Sequence, residues 1–345
     1  MFWTPKDVAR LLTIIVIAAA LPGCASPVTA QRHDLTAEAL SFSTRTPTLT
    51  LAPTATPTRV VLPTRTPNPG IWASTTALAT RAINKEATAT MAPTAGPENW
   101  QDWSVVPEIS AKAIEIYQKG QQMGNDPRAF SKVGNCLSNP KFYLGAYDNR
   151  KLYNLGPYQD LQTTIDYFSG SFSRESIAVN TGWSIASVIN PLYAAVPPCN
   201  KGENPFSCEL RITKPAFVIV SVEPITANIT AEHYGGYLRQ IVEYAINQGT
   251  LPILATKADD LEGDNSLNLA IARIANDYGV PLWNFWAAVQ NIPDKGLEKD
   301  GFHLTGLSSP YNFADAEAMR GGWTRRNLTL LQTLDAIRKA VTSAH

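Results

Sequence analysis

Ala216-Phe217-Val218-Ile219-Val220-Ser221-Val222 is a nearly continuous apolar run rich in β-branched residues. A strand with one wet face alternates polar and apolar side chains. A run that is apolar at successive positions belongs instead to a strand covered on both faces, as in a parallel sheet between helical layers. The segments that follow fit that reading. From Tyr234 to Gln248, the residues Leu238, Ile241, Val242, Ala245 and Ile246 recur at helical spacing, and Gly249 stands where a C-cap belongs. Leu251 to Ala255 reads as the next strand, Leu267 to Tyr278 as an amphipathic helix closed by Gly279, and Val280 to Phe285 as a further strand. Asn327 to Ala344 makes a last helix with Leu330, Leu334, Ile337 and Val341 turned inward, and Ala129 to Val133 is a short strand candidate upstream. Strand–helix–strand at this spacing predicts an α/β fold, three layers in the order α/β/α around a parallel sheet, over residues 99–345. In such sheets a ligand crevice lies beyond the carboxyl ends of the strands.

The rest of the chain is different in kind. Of its 345 residues, Lys6 and Arg10 precede an apolar run from Leu11 to Leu21, which has signal-peptide length and is too short to span a bilayer; Asp7 is a charge against that reading. Leu21-Pro22-Gly23-Cys24 resembles the bacterial lipobox, with Pro22 an uncommon residue at its position. The resemblance implies a lipoprotein signal peptide over 1–23 and a membrane-lipid partner through an acylated (palmitate-type) Cys24. It implies a place on the extracytoplasmic face of a bacterial cell membrane. An ordinary signal peptide cut nearby is the alternative. From Ser26 to Pro97 the chain is rich in Thr, Pro, Ala and Ser, with repeats such as Ala55-Thr56-Pro57-Thr58. So few large apolar side chains cannot offset the entropy of ordering, and residues 24–98 are expected to form a disordered stalk. The formal net charge is 0 with no run of Lys or Arg, so nucleic acid is not an expected partner. Cys199 and Cys208 flank a Pro/Gly/Asn-rich loop and are expected disulfide partners in an oxidising compartment, contributing roughly 2.5–3 kcal/mol by loop closure. Cys136 is left over.

Two short stretches carry the chemistry: Val133-Gly134-Asn135-Cys136 after the first strand candidate, and Asp300-Gly301-Phe302-His303 near the C-terminus. In order of blocks and in rhythm, the domain from about Ala129 onward resembles the SGNH (GDSL-like) hydrolases. That resemblance implies a flavodoxin-like sheet, a nucleophile in the first block, backbone and Asn donors for an oxyanion in the middle blocks, and an Asp-x-x-His pair at the end. Asp300 and His303 match the last block, Gly182 in Thr181-Gly182-Trp183 matches the second-block glycine, and Gly134 matches the first. Asn135 and Cys136 stand where Asp and Ser are expected, and Ser221-Val222-Glu223-Pro224 replaces the Gly-x-Asn block; a register shifted by two sets Glu223 on the block's glycine and Ile225 at the Asn position, and either register removes the donor. The catalytic residues implied are therefore Cys136, His303 and Asp300, with the amides of Cys136 and Gly182 as oxyanion donors.

Each departure has two readings. A thiol beside a histidine ionises more readily than a serine hydroxyl, so Cys136 is chemically a viable nucleophile; the alternative is a small inert cysteine filling a serine-sized space. His303 is a base oriented by Asp300, or only the cap of an Asp-Gly turn. Glu223 either sits at the oxyanion position, where a carboxylate repels the developing charge, or is a solvated strand end, the reading preferred here. Asp259-Asp260 and Glu262-Gly263-Asp264 read as a solvated acidic loop, and His233 as a surface residue at a helix start. Trp183, Trp283, Trp286, Trp323 and Tyr311 flank the blocks; they serve core packing or, more weakly, a sugar ring or acyl chain. No spacing suggests zinc and no glycine-rich loop suggests phosphate, so no metal or cofactor is expected. The functional expectation is a surface lipoprotein acting as a carbohydrate or lipid esterase on a glycan or acyl-ester ligand. The alternative is an inactive binding module of the same fold on a membrane-anchored stalk.

Overall fold

The computed structural model describes residues 96–224 and 228–343. The expected signal segment, the acylated Cys24 and the stalk up to residue 95 lie outside the described residues. Four strands form one parallel sheet in the order β1-β2-β3-β4: β1 (Asp126–Gly134), β2 (Pro215–Ser221), β3 (Leu251–Ala255) and β4 (Leu282–Trp283). Every residue of β2 and β3 is buried, as the unbroken apolar runs require.

Eight α-helices surround the sheet among the described residues: α1 (Ala111–Gln122), α2 (Gln162–Tyr167), α3 (Ile185–Val188), α4 (Pro205–Thr213), α5 (Ala231–Asn247), α6 (Ser266–Tyr278), α7 (Phe285–Val289) and α8 (Gly322–Ser343). Helices α1 and α8 pack together on one face of the sheet, while α4 and α5 cover the other with α6 beside α5. The expected three-layer α/β/α architecture is present. None of these helices is long and apolar enough to cross a membrane.

The segment after α2 completes the topology. Gly134 N–H donates to Ala178 O (3.2 Å) and Asn180 N–H donates to Gly134 O (3.3 Å), a parallel bridge centred on Val179. The chain thus leaves β1, touches its outer edge at 178–180, and returns to β2 on the inner edge. This is the flavodoxin-like order with its edge strand reduced to a single bridge. The reversal makes the carboxyl end of β1 the switch point, where a crevice opens outside the sheet.

Sequence and structure differ in several places. The strand expected over 280–285 holds only Leu282–Trp283, because Asn284 caps α7: its Oδ1 accepts from Ala287 N–H (3.2 Å) while its Nδ2 donates to Trp100 O and Trp103 O. Helix α8 starts at Gly322 rather than at 327. Helix α1 was not anticipated, although Ala113, Ile116, Tyr117 and Gly120 mark its buried side at helical spacing. The disulfide between Cys199 and Cys208 is formed and pins the loop ahead of α4 to that helix. On β1, Lys132 is fully buried and donates to Phe172 O (2.6 Å); burial, with Arg174 nearby, brings its ammonium down to about 7.

Candidate active site

The site begins where β1 ends. Gly134 leaves no room for a side chain: a Cβ there would overlap Ser138 Oγ and the Ser221 carbonyl on β2. Asn135 then turns the chain. Its Oδ1 accepts from Leu137 N–H (3.1 Å), capping the short 3-10 helix Cys136–Ser138, and its Nδ2 donates to Glu223 O (2.6 Å). An Asp at this position could make the first bond but not the second, so Asn135 ties the end of β1 to the end of β2 by side-chain chemistry. Cys136 is thereby held, 7% exposed, at the carboxyl edge of the sheet.

His303 arrives from the opposite side. Asp300-Gly301 makes the turn, with Gly301 at φ +71°, a conformation that favours glycine. Asp300 Oδ1 accepts the N–H groups of Phe302 (3.0 Å) and His303 (2.9 Å), and its Oδ2 meets His303 Nδ1 at 2.5 Å. Glu298 N–H donates to His303 O (2.7 Å), closing the base of the loop. The ring's other nitrogen, Nε2, lies 3.9 Å from Cys136 Sγ, within hydrogen-bond reach for sulfur. Partial burial raises the Asp300 carboxyl, but the ring hydrogen bond and the two backbone N–H groups outweigh it and hold it down at about 2. A carboxylate, an imidazole and a thiol therefore stand in series, in the order that passes a proton from sulfur to ring while the carboxylate fixes the tautomer.

Gly182 lies just beyond the 178–180 bridge, on the outer side of β1. Its φ is +82°, it is exposed, and its N–H has no partner among the described residues. Nothing fills the space on the side a Cβ would occupy.

Glu223 is neither a solvated strand end nor an open carboxylate. It is 4% exposed, and its Oε1 accepts from Ser221 Oγ (2.6 Å) and from Arg326 Nη2 (3.0 Å). Arg326, fully buried on α8, also donates to Ser221 Oγ (2.7 Å), and its guanidinium lies 4.8–5.4 Å from the ring centres of Tyr143, Phe285 and Trp283. Glu223 Oε2 and Arg326 Nε and Nη1 have no partner among the described residues. The Glu223 side chain is thus drawn into the core by a buried cation. Its backbone carbonyl stays at the site, holding Asn135.

The acidic loop also departs from expectation. Asp260 and Asp264 are exposed, but Asp259 is 1% exposed, and the Lys257 ammonium binds both Asp259 Oδ1 (2.7 Å) and Glu262 Oε2 (2.5 Å) out of solvent. Burial raises the Asp259 carboxyl against the pull of Lys257. Leu261 of this loop lies near the Asp300–His303 turn: a Cβ added at Gly301 would meet its Cδ2 at ordinary contact distance. Trp283 and Trp323 are core residues, and Trp183 and Trp286 are half-buried. Among the described residues, the one group with metal-type ligands is Cys199, Glu203 and Cys208, whose two sulfurs are joined to each other.

Arg326, Ser221 and Lys257 were not singled out from the sequence. Arg326 carried a usable signal: it falls on the same helical stripe as Leu330, Leu334 and Ile337, a charge at a core position that demands a buried partner.

No protein-family model matches the chain, and no curated protein matches it in sequence. Solved structures similar to it include a candidate SGNH hydrolase from Slackia heliotrinireducens, 16% identical, covering 61% of this chain and 100% of that one with a TM-score of 0.41. A GDSL-like lipase from Bacteroides thetaiotaomicron VPI-5482 is 15% identical, covers 65% of this chain and 98% of its own, and has a TM-score of 0.37. An α/β hydrolase from the metagenome of Lake Arreo, Spain, is 12% identical, covers 60% and 95%, and has a TM-score of 0.38. Scores and identities this low carry no argument about activity.

Proposed function

We propose that this chain is a thiol-dependent ester hydrolase with Cys136 as nucleophile, His303 as general base and acid, and Asp300 as the group that orients the ring. The observation that carries the reading is the series Asp300–His303–Cys136, contributed by two loops far apart in sequence and meeting at the switch point of the sheet. His303 Nε2 takes the thiol proton as Sγ attacks the acyl carbon. The tetrahedral oxyanion lies against the backbone N–H groups of Cys136 and Gly182. The intermediate collapses as the leaving alcohol takes the proton from His303, leaving a thioester on Cys136. His303 then draws a proton from water, whose attack frees the acid and restores the thiol. The Sγ–Nε2 separation tightens when substrate binds, as catalytic hydrogen bonds commonly do.

No Asn stands at the end of β2 in Ser221-Val222-Glu223-Pro224, and Glu223, committed to Arg326, offers no donor in its place. Loss of one such donor costs about 10²–10³ in rate, so turnover is expected to be slow. The same observation favours a second reading, a crevice that binds an ester or glycan without cutting it. The lipobox-like Leu21-Pro22-Gly23-Cys24 supports display from a bacterial membrane by an acylated Cys24, with the Thr/Pro-rich stretch as a stalk.

Hydrolysis of a short-chain chromogenic ester by the native chain, Cys136→Ala and Cys136→Ser separates the readings. Slow native turnover that disappears in Cys136→Ala is expected. Activity in Cys136→Ser alone would mean that the nucleophile has been lost from otherwise intact machinery. Silence in all three would leave a binding crevice.

A further inference from the structure

Beside the reactive pair lies an open cleft of about 830 Å³ that the proposed chemistry does not use. It starts at Asn139, just beyond Cys136, and its far wall is the 307–312 segment, just beyond His303. Its floor is 151–154, with Ser173 and Glu175 at one end. We propose that this cleft binds an acidic glycan, a chain of sugar rings bearing carboxylates. As a statement of substrate class, this rests on the preceding reading of Cys136 and His303; as a binding site, it does not.

The cleft is preformed. Asn327, fully buried on α8, accepts Leu144 N–H (2.8 Å) and donates to Phe142 O and Pro310 O (both 3.0 Å), so one side chain holds both walls. The floor is joined to the far wall by Asn154 N–H to Tyr311 O (2.9 Å) and Phe313 N–H to Asn154 O (2.7 Å). Asp148 fixes the end wall by accepting Ser173 N–H (2.7 Å) and Ser173 Oγ–H (2.8 Å). A ligand therefore meets a shaped surface rather than ordering one.

What that surface offers is an excess of donors. The side-chain carbonyls of Asn139, Asn154 and Asn312 are turned to their own backbones, accepting from Lys141, Gly156 and Ala314 N–H groups. Their NH₂ groups have no partner among the described residues, which leaves three amide donors on the cleft. Lys141 and Lys151 line it as well, and neither is ion-paired among the described residues, whereas Glu175 is the only lining carboxylate. Of the lining aromatic residues, Phe142 is half-buried with the Lys141 ammonium 5.2 Å from its ring centre, while Tyr153 and Tyr311 are buried. Ammonium and amide donors spread along the cleft match an extended ligand that presents many oxygen acceptors together with negative charge, as a chain of hydroxyl- and carboxylate-bearing rings does.

The test is calorimetric titration of the full chain at low ionic strength with an oligogalacturonate and with its carboxyl-reduced, neutral counterpart. Saturable binding of the acidic oligosaccharide is expected. It should weaken about tenfold or more in the Lys141→Ala/Lys151→Ala double variant and for the neutral ligand. Both lysines are exposed, so the double variant should still fold. Equal affinity for the two oligosaccharides, unchanged affinity in the double variant, or no saturable binding of the acidic one would each overturn the proposal. Cys136→Ala should bind the acidic ligand normally. Binding without ester hydrolysis in the native chain would therefore sink the hydrolase reading and leave the cleft standing; hydrolysis without binding would do the reverse.

Discussion

Arg326→Met is expected to lower the stability of the domain by about 3–5 kcal/mol, the cost of leaving one member of a buried ion pair without its partner. For a domain of this size that is a fall of about 6–20 °C in Tm. The expectation rests on Glu223, 4% exposed, whose only charged partner among the described residues is Arg326. Methionine fills much of the volume among Tyr143, Phe285 and Trp283 but supplies no charge. The same change should reach the site, because Glu223 O holds Asn135 and Asn135 caps the turn that carries Cys136. The double variant Arg326→Met/Glu223→Leu should recover most of the lost stability, since removing both charges also removes the desolvation cost. Chemical denaturation of the three proteins decides it. A single variant within about 1 kcal/mol of the native chain would mean that the pair contributes little and that Glu223 is free to adopt another position.

Asp300→Asn is expected to lower kcat/KM for a short-chain ester about 10⁴-fold while leaving the fold intact. Asparagine can still accept the N–H groups of Phe302 and His303 through its oxygen, so the turn survives. Its NH₂ group, however, faces His303 Nδ1 as a donor, which favours the tautomer with its proton on Nε2 and leaves no lone pair to take the thiol proton. The acid side has a defined sign. The folded-state value of Asp300 lies at about 2, below its ordinary 3.8. Its contribution to stability is therefore present above 3.8 and is lost as pH falls through about 2. Acid denaturation curves of native and Asp300→Asn protein should converge below pH 2 and separate above pH 4; the gap is modest, because the carboxylate is half-exposed and screened. A loss of less than tenfold in kcat/KM would contradict the orienting role.

Apolar runs and helical stripes were enough to read the layers, because burial on both faces leaves an unmistakable pattern in β2 and β3. The edge strand at 178–180 was not legible: a single bridge needs no β-branched run and leaves no periodicity to find. In the site, the Asp-x-x-His and Gly-x-Cys stretches pointed to Asp300, His303 and Cys136, the family resemblance added Gly134 and Gly182, and the structure sets Cys136 beside His303 and His303 beside Asp300. The fate of Glu223 could not be read from its neighbours in sequence. Whether a carboxylate at a strand end meets water or a cation depends on a residue of α8 roughly a hundred positions away. The acidic loop failed for a nearer cause: Lys257, two positions before Asp259 and five before Glu262, turns both carboxylates inward. Local reading treats charges as solvated, and buried ion pairs are where that assumption breaks.

The most direct test of Cys136 as the nucleophile is to trap its acyl intermediate. The native chain and Cys136→Ala are incubated with an activated short-chain ester, quenched in acid, and mapped by peptide mass spectrometry. An acyl increment on the peptide holding Cys136, formed in the native chain, much reduced in His303→Ala and absent from Cys136→Ala, is the predicted result. An unmodified Cys136 in a native chain that nevertheless hydrolyses the ester, or one acylated equally with and without His303, would contradict it.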